Sequence, residues 1–284
     1  AIADYTQNNG EGSDIVSQKR NIWSGSLLMK HWLSPKFRYE VGLRGEVSDV
    51  YDSPLLFSFG TNYAITNFYT LKLNASRNFR MPTYNDLYWQ GSGDPGLNPE
   101  TSYQAEIGNE FTFGNAVISL TGYYIKLRDM LRWIPQGSVW MPENVGRVNT
   151  YGGEAVVSWT KEIGSSRIEL NGTYAYTVSN EEGKKEQLIY VPFHKATFSL
   201  AYSIKNITAY YRYLFNGSVF YTSDNQSEIN AFDIATFGAE YHANLFKGID
   251  IGAQVLNAFN KEYQNVATRP MPGRNYNIYM NIKF

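Results

Sequence analysis

The chain has 284 residues, with 25 basic and 26 acidic side chains and no cysteine. A net charge of −1 gives no basis for nucleic-acid binding, and the missing thiols exclude disulfides, thiolate metal sites and cysteine nucleophiles. Aromatic residues make up 16% and charged residues only 18%, below the soluble average of about 25%.

No run of about 18 apolar residues occurs, so a membrane-crossing helix is excluded, whereas crossing by strands is not. Residues 1–21 are polar and rich in Gly and Asn, and read as a loop remnant. About thirteen strands follow, near 22–33, 36–48, 54–64, 68–78, 102–113, 116–129, 147–162, 166–178, 193–204, 206–218, 230–244, 248–258 and 274–284. Their side chains alternate with the strand period of two. In 69–77, Tyr69, Leu71 and Leu73 oppose Lys72, Asn74 and Ser76. In 167–178, Ile168, Leu170, Tyr174, Tyr176 and Val178 oppose Arg167, Glu169, Asn171, Thr173 and Thr177. In 197–204, Phe198, Leu200, Tyr202 and Ile204 oppose Thr197, Ser199, Ala201 and Ser203. The last strand places Tyr276, Ile278, Met280, Ile282 and Phe284 on one face, and Asn275, Asn277, Tyr279, Asn281 and Lys283 on the other.

The connections alternate in length. Short ones lie at 34–35, 65–67, 114–115, 164–165, around Lys205 and at 246–248; the others lie at 49–53, 79–101, 130–146, 179–192, 219–229 and 259–273. An antiparallel barrel with tight turns on one rim and long loops on the other produces this pattern, and a soluble sandwich has no reason to. The expected fold is therefore all-β, a transmembrane antiparallel β-barrel in which one strand face meets lipid and the other water. An odd strand count does not close such a barrel, which points to further strands before residue 1.

Two loops carry the residue types of a binding site. Loop 79–101 holds Tyr84, Tyr88 and Trp89 with Asp86 and Asp94; loop 130–146 holds Trp133 and Trp140 with Arg132 and Glu143. Aromatic faces on a projecting loop stack on planar or macrocyclic ligands, and nearby polar groups orient them. The same residues also suit an interfacial girdle, where Trp and Tyr sit at headgroup level. Trp133 and Tyr88, close to strand ends, lean to the girdle; Trp89 and Trp140 lean to ligand or loop packing. Tyr221 and Arg269, in the last two long loops, complete the candidate rim. His31, His194 and His242 sit on separate strands without ligand spacing, and the Asp86/Asp94 pair lacks a calcium pattern. Arg77, Arg147, Arg167, Glu154 and Glu169 are expected to form ion pairs on the water-facing side. No phosphate loop or nucleophile elbow occurs, and no catalytic residue, metal or cofactor is expected.

Several runs follow one another along the chain. They are Arg77-Asn78-Phe79-Arg80-Met81-Pro82, Asp86-Leu87-Tyr88, Gly96-Leu97-Asn98-Pro99-Glu100, Glu106-Ile107-Gly108, Asn144-Val145-Gly146-Arg147 with Tyr151-Gly152-Gly153-Glu154, Leu256-Asn257-Ala258-Phe259-Asn260-Lys261-Glu262-Tyr263, and Pro272-Gly273-Arg274 before the terminal strand. In order and spacing over residues 75–284 they resemble the TonB-dependent outer-membrane receptors. On the residues alone these motifs read as structural: prolines that stop the ladder, asparagines that cap turns, glycines that relieve crowding.

The resemblance implies a barrel of about 22 strands around an N-terminal plug, with residues 1–284 as its C-terminal part and 1–21 as an extracellular loop remnant. It also implies outer-membrane location and lipid contact, active uptake of a scarce ligand, energy from TonB acting through a plug that this chain lacks, and a possible surface lipoprotein partner. Extrapolated size, about 600 residues, and the Asn-Pro-Glu and Asn-x-Gly-Arg runs look most like cobalamin receptors. Ferric-siderophore receptors are the close alternative, haem receptors the third, and a passive porin a distant one. A membrane hydrolase needs an acid/base cluster on one rim, and no histidine lies in a long loop.

Overall fold

The computed structural model describes residues 1–243 and 248–282. Fourteen strands form one antiparallel meander: β1 (Ile2–Gly12), β2 (Ile15–Ser34), β3 (Phe37–Ser48), β4 (Leu56–Ala64), β5 (Tyr69–Arg80), β6 (Glu100–Phe113), β7 (Ala116–Gln136), β8 (Val139–Ile163), β9 (Ser166–Glu181), β10 (His194–Ile204), β11 (Ile207–Asn216), β14 (Phe232–Ala243), β15 (Ile249–Leu256) and β18 (Asn275–Ile282). The loops add helix α1 (Tyr84–Tyr88) and two small hairpins, β12 (Val219–Phe220) with β13 (Glu228–Ile229), and β16 (Gln264–Val266) with β17 (Arg269–Pro270). The meander is not closed: β1 and β18 each pair on one side only.

Side-chain alternation and register agree from β3 to β6 and over most of the other main strands, with register shifts near the turns at Gly10/Gly12 and Trp32/Ser34. Direct partners share a face, so Tyr63, Leu71, Asn109, Leu120, Ala155 and Tyr174 form one row across six strands. Large hydrophobics on that face stay exposed, among them Trp23, Leu27, Leu73, Ile107, Leu120 and Ile278. No second layer covers them among the described residues, so the sheet has the one-sided apolar surface of a lipid-facing wall rather than a sandwich core. Near the short turns, aromatic side chains pair across strands: Tyr69 stacks on Phe111 at 4.9 Å and Phe68 on Phe113 at 5.8 Å. The opposite face is polar and closely bonded. Lys72 pairs with Glu110, Tyr123 with Thr177 at 2.6 Å, Thr173 with Thr197 at 2.6 Å, and Tyr279 with Glu240.

Four expectations change. Residues 1–21 are not a loop: Ile2–Gly12 is a strand whose partners run from Ser26 back to Ile15. The main sheet therefore has fourteen strands rather than thirteen, and the odd-count argument loses its basis. Segment 130–146 is not a loop either. It continues β7 and β8 into a ribbon turned by Gly137 and Ser138, with Gly137 at φ 63°, the glycine position of a type II′ hairpin turn. Arg77 and Arg147 share the apolar face with their partners Tyr103 and Arg128, whereas Arg167 and Glu169 pair on the polar face as expected. The expected turn at 246–248 lies mostly outside the described residues, as do Lys283 and Phe284.

Candidate functional site

The longest connection between main-sheet strands, residues 81–99, folds because Thr83 and Asp86 close a capping box. The Thr83 amide and hydroxyl donate to Asp86 Oδ2 at 2.8 and 2.7 Å, and the Asp86 amide donates back to Thr83 Oγ1 at 3.2 Å. The other Asp86 oxygen accepts from Trp133 Nε1 at 2.8 Å, which locks the loop to the β7–β8 ribbon. Asp86 is 7% exposed. A carboxylate taken out of water needs such donors.

A second lock is Arg20. It is 7% exposed, and its two terminal nitrogens donate to the Pro82 carbonyl at 3.1 Å. Its guanidinium lies 5.1 Å from the Tyr84 ring centre and 5.9 Å from that of Tyr51. Tyr84 donates to the Asn8 carbonyl at 2.9 Å and lies over Gly10, where a Cβ would meet its ring. Tyr51 donates to the Leu97 carbonyl at 3.0 Å. Burial pushes both phenols above their ordinary pKa in spite of Arg20.

The runs singled out in the sequence meet in the same way. Asn144 accepts from the Asn98 amide at 2.7 Å and donates to the Asn98 and Asp129 carbonyls, and Glu100 accepts from the Leu131 amide at 2.6 Å. Asn257 is 4% exposed at φ 45°; it donates to the Lys261 carbonyl and accepts from the Lys261 amide at 2.9 Å. Asn260 accepts from the Arg274 amide at 2.8 Å, and Arg274 Nε donates to the Ala258 carbonyl at 2.8 Å. These asparagines close the loops back onto the sheet, the structural role that their residue types indicate.

The expected site residues fall into two groups. Trp89, Trp133 and Trp140 converge on one open depression of about 400 Å³ that Thr83, Asn85, Asp86 and Ser92 also line. Trp89 is 40% and Trp140 46% exposed, so both offer faces to an incoming molecule. Trp133 is a packing residue that anchors the loop, not a girdle residue. Tyr84 is likewise an anchor, and Tyr88 lies beside it at 6.2 Å, outside the depression. Tyr221 lines a separate cleft of about 760 Å³ between the last two long loops, with Tyr263, Asn230, Asn260 and Gln264. Arg269 belongs to the β16–β17 hairpin at that cleft but does not line it.

Sequence reasoning missed Arg20, because it stood in an expected loop, and the role of Asp86, whose signal was the Thr83-x-x-Asp86 spacing. Asp94 forms a turn by accepting from the Gly96 amide at 2.8 Å. The histidines stay apart: His194 meets the Tyr174 hydroxyl, and His242 meets Asp250.

Basic side chains on this rim are mostly tied. Arg80 pairs with Glu100, and Arg132 with Glu143 at 2.7 Å and Glu181 at 3.0 Å. Lys261 lies 3.5 Å from Asp233. Burial raises the Glu181 pKa, but Lys184 and Arg132 outweigh it and hold the carboxyl below its usual range.

Residues 3–258 match a family described as TonB dependent receptor-like, beta-barrel. The chain is 24% identical over 253 residues to the vitamin B12 transporter BtuB of Photobacterium profundum, covering 87% of this chain and 41% of that protein. It is 23% identical over 301 residues to the vitamin B12 transporter BtuB of Vibrio vulnificus, covering 100% and 47%. The chain thus spans less than half the length of these curated relatives. A solved structure of a mutant of the ferric enterobactin receptor PfeA from Pseudomonas aeruginosa superposes with a TM-score of 0.76 at 19% identity. That match covers 94% of this chain and 46% of that one, and at such identity it shows the fold alone.

Proposed function

Because the chain belongs to the TonB-dependent receptor β-barrel family, an outer-membrane family of receptors and transporters rather than enzymes, we propose that it is the C-terminal wall of a receptor that takes up cobalamin. On this reading TonB supplies energy through a plug outside this chain, and a surface lipoprotein is a further candidate partner. The apolar face meets lipid and the polar face lines the lumen.

One observation carries the cargo reading: the tryptophan depression is lined by three indoles, Thr83, Asn85, Ser92 and a carboxylate, without a cation. A corrinoid offers broad apolar faces and a periphery of neutral amides, which suit stacking and amide or hydroxyl partners. A ferric tris-catecholate is a multiply charged anion and calls for free Arg or Lys. The two vitamin B12 transporters named above support the same reading.

The test is titration of the full-length receptor with cyanocobalamin. Nanomolar binding is expected, and Trp140→Ala should weaken it about tenfold, the ~1.4 kcal/mol of one lost aromatic face. Micromolar or weaker binding removes cobalamin, and saturable binding of a ferric siderophore in its place transfers the reading to iron chelates.

A further inference from the structure

On the lipid-facing side of β5–β8, the strands cross from an apolar band into a cluster of cations. Partner rows order the side chains. One row runs Phe59, Ala75, Ala105, Tyr124 and Tyr151, and the next toward the loops runs Phe57, Arg77, Tyr103, Lys126 and Asn149. The row after that holds Thr101, Arg128 and Arg147. A tilted strand crosses the hydrocarbon in about 9–11 residues. Counted from the short turns, that length ends near Arg77 on β5, which starts at Tyr69, and near Lys126 on β7, which starts at Ala116. Arg77 and Lys126 therefore stand where headgroups begin, beside and just above rings that mark the interface, and Arg128 and Arg147 stand one partner row farther toward the loops.

Their pairing differs from that on the lumen side of the same strands, where Lys72–Glu110 and Arg80–Glu100 match one to one. Here Lys126 and Arg147 share the single carboxylate of Glu182, at 3.2 and 3.0 Å. Neither Arg77 nor Arg128 has a carboxylate within ion-pair distance among the described residues. Arg77 lies over the Tyr103 ring at 5.3 Å, reaches only the Leu55 carbonyl at 3.4 Å, and keeps a buried Nε without a partner. Arg128 is exposed. Four cations against one carboxylate, aimed at lipid at headgroup level, form an anion site. Along the same face, β9 and β10 bring Tyr174, Tyr176 and His194 together, so the charge is local to β5–β8.

We propose that Arg77, Lys126, Arg128 and Arg147 bind the phosphate groups of an outer-leaflet glycolipid. The site is separate from the cargo site, because none of its four cations lines the tryptophan depression.

The test is native mass spectrometry of the full-length receptor in neutral detergent, with bisphosphorylated lipid A, dephosphorylated lipid A or inorganic phosphate. The wild-type protein should retain the bisphosphorylated lipid in preference to the dephosphorylated one, and millimolar phosphate should not displace it. Arg128→Glu changes an exposed, unpaired side chain and should fold normally. It should lower retention by more than the roughly fivefold expected for one charge neutralised, and the Arg77→Gln/Arg128→Gln/Arg147→Gln protein should lower it further. Equal retention of both lipids, unchanged retention in Arg128→Glu, or displacement by phosphate alone would overturn the proposal.

Discussion

At the scale of single residues, the loop rim is held by groups with unusually many partners. Asp86 is the clearest case, since three side-chain and backbone donors from Thr83 and Trp133 converge on it. Asp86→Ala strands those donors, at about 1–3 kcal/mol for each one left buried and unpaired. The loop should detach from the ribbon while the sheet persists. Hydrogen exchange is expected to rise in residues 81–99 and 130–143 but not in β10–β15, and protection unchanged in both segments would count against the lock. The turn-capping asparagines and the loop tryptophans were legible from residue type, and the capping box had a signal in the Thr83-x-x-Asp86 spacing that went unread. Arg20 was not legible, because nothing local marks a buried arginine whose partners lie 31, 62 and 64 positions away at Tyr51, Pro82 and Tyr84.

At the scale of elements, period-two alternation found the thirteen strands from β2 to β18 in the main sheet, because each has one apolar and one polar face. It missed β1, where Gln7-Asn8-Asn9-Gly10 carries no alternation and register with Lys19–Asn21 alone makes the strand. It also stopped β7 and β8 early. The ribbon holds Pro135 and Pro142, which sit opposite Trp140 and Trp133 near its end, where a missing donor costs little. A different constraint governs the last strands. Tyr210 and Tyr279 lay their rings over Gly238 and Gly252, and an added Cβ would lie 2.2 and 2.3 Å from those rings. Gly252→Ala should therefore displace Tyr279 from Glu240 and cost roughly 1–3 kcal/mol as overpacking. A lowered melting temperature of the receptor in detergent checks this. Restoration by Tyr279→Ala in the same chain would identify the ring as the cause.

At the scale of the whole molecule, the open meander sets what this chain does alone. The outer sides of β1 and β18 expose backbone donors and acceptors, each worth several kcal/mol in hydrocarbon. The 284-residue chain refolded by itself into micelles should give aggregates, without the heat-modifiable monomer band expected of the full-length receptor. A sharp heat-modifiable monomer from the isolated chain would show that its edges close on each other.

The ribbon formed by residues 128–147 has a further consequence. Fixing the same length of free chain would cost on the order of 1–2 kcal/mol per residue in backbone freedom. Backbone ladders hold this stretch from Arg128 to Gln136 against Val139 to Arg147 before anything arrives. An incoming cargo would therefore meet a stiff palisade rather than a slack tether. Its capture rate would then follow diffusion into the mouth rather than the slower ordering of a flap.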